Sequence, residues 1–189
     1  MYHTFCAEWF PNAIRIADRF HVNRYVTEAL QDVRRSVQTN LSSQAQKSLK
    51  AKARLLIKRA DDLTKEEAVI VQECLSYDKR LENTYKWKED FITWYDCAPD
   101  VKTATIWFER WCEQGQALSL VEVEECLKTM YNWKEEIINY HRLRYTNAAV
   151  EGRNNRIKAL QRRLYFTRNQ SVYNCLLYTS PSPRDTERS

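Results

Sequence analysis

Residues 81–95, with the sequence LENTYKWKEDFITWY, decide the fold class. Large side chains recur in this stretch at steps of three and four residues, which is the spacing of one face of an α-helix. The pattern involves Leu81, Tyr85, Trp87, Lys88, Phe91, Ile92 and Tyr95. Because aromatic side chains bury a large apolar area, the stretch predicts a long helix whose broad face packs against other helices.

The same period extends outward from this stretch along most of the chain. Thr64 followed by Glu67 is a capping box that begins one helix, and Pro99 followed by Asp100 ends one helix and caps the next. Gly115 is expected to end that next helix as a C-terminal glycine. The apolar positions that this interpretation places on buried faces include Val22, Tyr25, Val26, Ala29, Val33 and Val37, then Ala104, Trp107, Phe108 and Trp111, and then Val123, Cys126, Leu127, Met130, Trp133 and Ile137.

Further helices are predicted over residues 44–59, which are rich in Lys and Arg, over residues 119–140, and over residues 148–164 after a cap at Thr146-Asn147. The only strand is predicted over Ala13–Ala17, a brief β-capable run that ends at Asp18. The chain has 2 Gly and 4 Pro, so it is poor in tight turns. We therefore expect a mainly α fold with one or few β-strands.

The composition excludes several classes of protein. None of the six cysteines forms a C-x-x-C pair, which argues against a zinc ribbon and predicts free thiols. No segment resembles a signal peptide or a membrane span. The net charge of +5 is mild, so the distribution of charge says more about partners than the sum does.

The last predicted helix carries the clearest candidate site. At roughly 100° per residue, Glu151, Asn155, Lys158 and Arg162 share one narrow stripe of this helix. Glu151 is the only acidic residue between Arg142 and Arg168. A lone carboxylate among cations suits metal ligation beside a bound polyanion. A solvated helix face with an incidental glutamate is the structural alternative, although Gly152 would be easier to understand if a backbone or a ligand approached it.

Two further clusters carry weaker patterns. Asp18 and His21 lie at the end of the predicted strand, where a D-x-x-H spacing lets a carboxylate and an imidazole converge. The alternative is a helix-capping aspartate and a packed histidine. Residues 86–91 interleave basic and aromatic side chains, which either contact nucleic acid or form one amphipathic helix with its aromatic residues buried.

Taken together, these segments resemble the DDE transposases of bacterial insertion sequences, in the ISL-three family. The resemblance covers residues 10–174 and depends most on pairing D-R-F-H at residues 18–21 with N-x-x-x-E-G-x-N-N-x-I-K at residues 147–158. It implies a partial RNase H-like core interrupted by a large all-helical insertion. Residues 1–21 would be the remnant of that core, 22–145 the insertion, and 146–174 the catalytic-glutamate helix with the end of the core.

The resemblance also implies the chemistry, which is metal-dependent cleavage and strand transfer of DNA by phosphoryl transfer. Glu151 matches the family's catalytic glutamate and would bind Mg²⁺ or Mn²⁺. Asp18 is either a second metal-binding aspartate or, with His21, part of the signature that follows it. The residues that would hold DNA are Arg153, Asn155, Lys158, Arg162 and Arg163.

By the same resemblance, the expected partners are transposon ends, target DNA and further copies of the chain, in the bacterial cytoplasm at the nucleoid. The chain is expected to lack parts of the catalytic region at both ends and to be inactive alone. Residues 175–189 resemble translated sequencing adapter or a disordered terminus. Two other functions stay open, namely a non-catalytic helical protein that binds DNA or another partner, and a helical structural protein.

Overall fold

The computed structural model describes residues 8–144, 148–163, 171 and 175. No residue of this described part lies in a β-strand, and its long elements are helices. They are α1 Arg19–Gln38, α2 Ser43–Ala51, α3 Ala53–Ile57, a 3-10 turn Ala60–Asp62, α4 Lys65–Leu75, α5 Lys79–Cys97, α6 Val101–Ala117, α7 Val121–Asn132, α8 Lys134–Leu143 and α9 Ala148–Arg163. The prediction of a mainly α fold is confirmed.

The chain divides into two compact units, Met1–Tyr145 and Thr146–Ser189. The first, which we call the helical unit, contains α1 to α8, and the second contains α9. Each is described by itself below.

Helix α1 lies at the centre of the helical unit, where it packs against α2, α3, α5, α7 and α8. Its apolar positions recur at helical spacing, so one continuous face is buried along the whole helix. That face consists of Val22, Val26, Ala29, Leu30, Val33 and Val37, each at most 4% exposed. Asp18 caps the helix by accepting a hydrogen bond from the Phe20 backbone N–H at 2.9 Å.

Helices α5 and α6 form the aromatic half of the core. The indole rings of Trp87 and Trp111 stack with centroids 4.4 Å apart. Each indole N–H donates to the other residue's backbone carbonyl, at 3.2 Å from Trp87 and 2.9 Å from Trp111. Trp94 likewise donates its indole N–H to the Ala104 carbonyl at 2.9 Å. All three buried donors therefore have partners, which removes the cost of burying them unpaired.

Gly115 makes this close packing possible, and its predicted role as a helix end is wrong. Helix α6 continues past it to Ala117, and the left-handed backbone conformation falls on Ser119. A Cβ atom at Gly115 would lie 2.8 Å from Nε1 of Trp87 and 3.1 Å from a methyl of Leu127. The glycine is therefore required by the indole beside it and not by a turn.

The predicted strand over Ala13–Ala17 is wrong, because this extended segment pairs with a helix. The Ala17 N–H donates to the Glu136 carbonyl of α8 at 2.9 Å, and Asn139 of α8 donates its side-chain amide to the Arg15 carbonyl at 3.1 Å. Arg15 also forms an ion pair with Glu136 at 3.3 Å. A β-capable composition predicts an extended backbone, but a strand also needs a neighbouring strand to complete its hydrogen bonds.

Two predicted helices are each broken in the structure. The helix over 44–59 is interrupted at Lys52 and ends at Ile57, and the helix over 119–140 is interrupted at Trp133. Both residues have ψ near 0°, a conformation outside the α-helical region that interrupts the helical ladder. The interruption also resets the periodicity, and Trp133, which was expected to be buried, is 47% exposed.

Tyr25 and Trp107 are also exposed against expectation, by 44% and 40% respectively. Both lie roughly 90° from the centre of the apolar face of their helix, so they flank the core without entering it.

The predicted caps, by contrast, are confirmed. Thr64 and Glu67 form the reciprocal capping box of α4, and Asp100 accepts from the Thr103 N–H at 2.8 Å at the start of α6. The cap at Thr146-Asn147 falls outside the described residues.

Replacing each of the two glycines with alanine is expected to affect the stability of the chain differently. Gly115→Ala should lower the free energy of unfolding by about 1–2 kcal/mol, because overpacking against Trp87 outweighs the helix-propensity gain. Gly152→Ala, whose added methyl would meet no described atom within 4 Å, should leave stability unchanged or raise it. Chemical denaturation followed by circular dichroism measures both variants. Equal stability of Gly115→Ala and the parent chain would contradict the packing argument.

Candidate functional site

Helix α9 presents the residues that the sequence singled out. Glu151 is exposed in its first turn, and Arg153, Asn155, Lys158 and Arg162 are exposed further along it. At roughly 100° per residue, Glu151, Asn155, Lys158 and Arg162 lie within about 60° of one another around the helix axis. The fifth predicted DNA-binding side chain, that of Arg163, falls outside the described residues.

This face combines one carboxylate with a surplus of cations. Such a face attracts the phosphate groups of nucleic acid and leaves one oxygen ligand beside them. A glutamate in the first helical turn also interacts favourably with the positive end of the helix dipole, so Glu151 has a structural use as well. Gly152 does not decide between the two interpretations, since a Cβ atom added there would meet no described atom within 4 Å.

Asp18 is the N-cap of α1, and His21 lies in the first turn of the same helix. Both line a mainly apolar groove of about 310 Å³, whose other walls include Tyr25, Met130 and Trp133. His21 is exposed, and its ring meets the Phe20 ring edge-on with centroids 5.6 Å apart. Asp18 acts as the helix cap, so its carboxylate already serves the structural role that was the alternative to metal binding.

A complete metal centre is not formed by the described residues. No group of three or more His, Cys, Asp or Glu side chains converges anywhere in that part of the chain. A Mg²⁺ site normally needs more than one carboxylate, with water or substrate oxygens completing the octahedron. The residues described here therefore do not fit a resident metal pair by themselves, and we derive no chemical step through one.

The basic and aromatic segment 86–91 belongs to the core, which contradicts a nucleic-acid role for its aromatic residues. Trp87 and Phe91 are at most 3% exposed, and Lys88 is fully buried. The Lys88 ammonium donates to the backbone carbonyls of Leu56 at 3.2 Å and Lys58 at 2.7 Å, at the C-terminal end of α3. Burial lowers the pKa of Lys88. This lysine holds the end of a short helix and is not available to a polyanion.

Asp96, near the C-terminal end of α5, is a residue that sequence reasoning missed. Its carboxylate accepts Arg19 at 2.7 Å and Arg59 at 2.6 Å. The Arg19 guanidinium also lies over the Tyr95 ring, 5.3 Å from its centroid. Asp96 thus joins the start of α1, the segment after α3 and the end of α5. Arg19 stands inside the D-R-F-H block, which was the one available indication that this arginine has a specific partner.

Arg144 reaches the same corner from the end of α8. Its guanidinium donates to the backbone carbonyls of Asp96 at 3.4 Å and Ala98 at 2.8 Å. Its own backbone is left-handed, with φ at 51°, and this residue is the C-cap of α8. The first helix of the unit and the end of its last helix therefore meet at residues 96–98, a region that we call the Asp96 corner.

His141 lies in the same region and is only 5% exposed. Its imidazole packs against the rings of Trp94, Tyr95 and Tyr140, with centroids 4.6–5.8 Å apart. Burial lowers the pKa of His141, with Arg144 and Arg19 acting in the same direction. This histidine packs within the core, and it belongs to no group of three metal-binding side chains among the described residues.

The Asp96 corner predicts a pH-dependent contribution to stability. Burial alone would raise the pKa of Asp96, but Arg19 and Arg59 outweigh it and lower the pKa. A carboxylate with a lowered pKa stabilises the fold above its ordinary pKa, and this stabilisation is lost as the pH falls through the lowered value. Asp96→Asn should therefore reduce the free energy of unfolding by about 1 kcal/mol at neutral pH, since solvent partly screens the pairs.

Denaturant unfolding at several pH values checks this, with Glu124→Gln as the control, because Glu124 is exposed on α7 with no ion pair among the described residues. The deficit of Asp96→Asn should shrink as the solution is acidified below about pH 4, near the ordinary pKa of aspartate. A deficit that is independent of pH, or equal to that of the control, would contradict the assignment.

Comparison with known proteins places these features in a family. The family model for ISL3 transposases, described as "Transposase", matches residues 1–177. The transposase for insertion sequence element IS1001 of Bordetella parapertussis is 25% identical over 166 residues. That alignment covers 86% of this chain and 41% of the relative, so the chain spans less than half of the relative's length. No solved structure matches significantly. Because the family model extends over nearly the whole chain, the chain belongs to the ISL3 family of transposases.

Proposed function

We propose that this chain contributes the glutamate helix and the helical unit of an insertion-sequence transposase that cleaves DNA and joins its ends. The observation that carries the proposal is one exposed side of α9, where Glu151 lies beside Asn155, Lys158 and Arg162. In this role, the cations bind the phosphates of the DNA backbone and the carboxylate faces the phosphodiester that reacts. The contacts are largely independent of base sequence, since phosphates are common to every sequence.

The domain organisation that we propose is a helical insertion within an RNase H-like core. The Asp96 corner supports it, because α1 begins and α8 ends at the same place, with Arg19 and Arg144 both bound to residues 96–98. An inserted domain needs neighbouring ends, since the host domain continues on both sides of it. The RNase H-like core itself stays a prediction from resemblance, since the described residues contain no strand.

The DDE transposases generally use a divalent metal ion, and we propose Glu151 as this chain's ligand to Mg²⁺ or Mn²⁺. Asp18 is a weaker candidate because it caps α1. When bound, such an ion would polarise the phosphodiester and the attacking hydroxyl. A single exposed carboxylate does not hold a metal pair, so we propose that the chain alone does not catalyse the reaction.

The partners that follow from this function are transposon ends, target DNA and, in the active complex, further copies of the chain. We propose a cytoplasmic, nucleoid-associated protein on the same basis. In the part of the chain that the structure describes, no helix has both the length and the apolar character needed to cross a bilayer.

A second function, a non-catalytic helical module that binds DNA, is favoured by one observation. The described residues lack a cluster of three metal-binding side chains, and the cations of α9 can hold DNA without any metal. The two functions differ in what Glu151 does, since a pure binding module gains nothing from a carboxylate that faces the phosphates.

The first experiment measures DNA binding by the complete chain. Lys158→Gln with Arg162→Gln should weaken retention of a short duplex and reduce the slope of log affinity against log salt by about 2, at roughly 0.9 per lost phosphate contact. The control is Lys102→Gln with Arg110→Gln, which removes two exposed cations from α6 instead. Equal effects of the two pairs would show that net charge alone matters and would refute the site.

The second experiment places Glu151 at the bound DNA without requiring catalysis. In the presence of a chelator, Glu151→Gln should tighten duplex binding by about threefold to tenfold, because a carboxylate near a phosphate is repelled. Glu124→Gln on α7 is the control and should have little effect. An unchanged affinity for Glu151→Gln would mean that this carboxylate lies away from the DNA, and the enzymatic role would lose its main support.

The third experiment tests for activity of the chain alone. With Mg²⁺ or Mn²⁺ present, the unaltered chain should neither nick nor join a DNA duplex, because the carboxylates needed for a metal pair do not converge in its described residues. Gel electrophoresis of labelled DNA measures this. Cleavage or strand transfer that disappears in Glu151→Gln would disprove the proposed inactivity while supporting the assignment of the glutamate.

A further inference from the structure

A second strongly basic segment lies in the helical unit, outside every residue considered so far for DNA binding. Residues 33–60 contain eight Lys and Arg side chains and no Asp or Glu. The segment spans the end of α1, all of α2 and α3, and the chain up to the 3-10 turn. The segment's own residues provide no countercharge, so any carboxylate partner must come from neighbouring elements.

Four of these eight cations form ion pairs with carboxylates that lie outside the segment. Lys52 pairs with Glu73 at 2.9 Å and Lys58 with Glu67 at 2.6 Å. Arg59 pairs with Asp96, and Arg35 pairs with Asp32. Three exposed cations have no carboxylate partner among the described residues, namely Lys47, Lys50 and Arg54.

These three cations form a stripe on one side of the α2–α3 segment, and we call them the cation stripe. Lys47 and Lys50 lie about 60° apart around the axis of α2, and Arg54 is exposed on α3, beyond the interruption at Lys52. Leu49 and Leu56, on the opposite side, are fully buried. At roughly 1.5 Å per residue the stripe is about 10 Å long, which is close to the major-groove width of roughly 12 Å in B-DNA.

Arg34 adds a positive charge beneath this region without a carboxylate to balance it. It is only 7% exposed, and its guanidinium donates to the side-chain carbonyls of Gln31 and Gln38. Gln31 in turn donates to the Ala53 carbonyl at 3.1 Å, which ties this part of α1 to α3. Neutral amides do not cancel the charge of an arginine, so the surface above stays positive.

We propose that the cation stripe of Lys47, Lys50 and Arg54 is a second contact site for duplex DNA, which it binds through backbone phosphates. The inference rests on the proposed function, because it assumes that the chain handles DNA, and it adds a separate site in the helical unit. The stripe holds a duplex without reading its bases, since its side chains are flexible point charges and a single guanidinium.

The chemistry of the segment favours duplex DNA over other polyanions. An amphipathic helix binds an anionic membrane by inserting its apolar face into the lipid, but Leu49 and Leu56 are committed to the core. Binding of single strands relies on aromatic side chains that stack on bases, and residues 43–58 contain no aromatic residue. A row of cations on a rigid helix suits the regular phosphates of a duplex.

The test compares two triple variants of the full chain that remove the same charge from different places. The first is Lys47→Gln, Lys50→Gln and Arg54→Gln. The matched control is Lys102→Gln, Arg110→Gln and Lys128→Gln, which alters three exposed cations on α6 and α7. Circular dichroism establishes that both variants fold, which is expected because all six side chains are exposed. The probes are two short DNA duplexes of unrelated sequence, a single strand, and vesicles containing phosphatidylserine.

The stripe variant should bind both duplexes about tenfold or more weakly than the parent chain and should lower the salt slope by about 2 to 3, for three lost phosphate contacts. The control should change either quantity far less. The inference is overturned if the two variants behave alike, if the stripe variant binds duplexes normally, or if it loses binding to vesicles or single strands and keeps binding to duplexes.

The Lys158→Gln, Arg162→Gln pair separates this inference from the proposed function. If that pair loses duplex binding and the stripe variant does not, the α9 site stands and the cation stripe is refuted. If the stripe variant loses binding and the α9 pair does not, the stripe stands and the assignment of α9 falls. If the unaltered chain shows no salt-dependent binding to duplexes, both are refuted.

Discussion

The reciprocal pairing of Trp87 and Trp111 is the constraint on which the helical unit depends. Two large indole rings can stack at 4.4 Å inside a protein only if both N–H groups find acceptors, and each finds the other residue's carbonyl. This arrangement fixes the distance and rotation between α5 and α6. It also requires that a neighbouring position carry no side chain, which explains why one of the two glycines lies within a helix at residue 115.

Once α5 is fixed, its last turn determines where three other parts of the chain can lie. Asp96 projects from that turn, and its carboxylate has two arginine partners from distant positions, while Arg144 binds the carbonyls of residues 96 and 98. This arrangement is favourable because two ion pairs, one with each arginine, offset the cost of desolvating the carboxylate. Arg19 is the second residue of the D-R-F-H block. The Asp96 corner therefore connects this block to the point where α8 ends.

Charge is distributed unevenly over the helical unit. Residues 33–60 carry eight cations and no acid, whereas α6 and α7 carry five glutamates and three cations. A mild net charge of +5 conceals this difference. The electrostatic potential is therefore most positive beside α2 and α3, whereas the charges of α6 balance and those of α7 are mainly negative.

Much of the helical fold could be predicted from the sequence. The sequence also indicated which residues share the face of α9 that forms the candidate site. Helical spacing located the buried faces of α1, α5 and α6, and the capping residues Thr64 and Asp100 marked true helix starts, because caps and periodicity are local properties of the chain. Glu151, Lys158 and Arg162 share a face for the same reason. Interruptions at Lys52 and Trp133 were missed, since a single residue of altered ψ leaves the apolar pattern almost intact.

Only the tertiary structure decided the contacts between residues that are far apart in sequence. The extended segment before Asp18 has strand composition, yet its hydrogen bonds go to α8, and only the neighbouring element could determine that. Asp96, Arg19 and Arg144 carry no local pattern that would join them. Local interactions set which residues become helical, but the partner of a buried charge or an indole N–H depends on which helices meet. That choice is made by packing the whole chain and cannot be derived from any one segment.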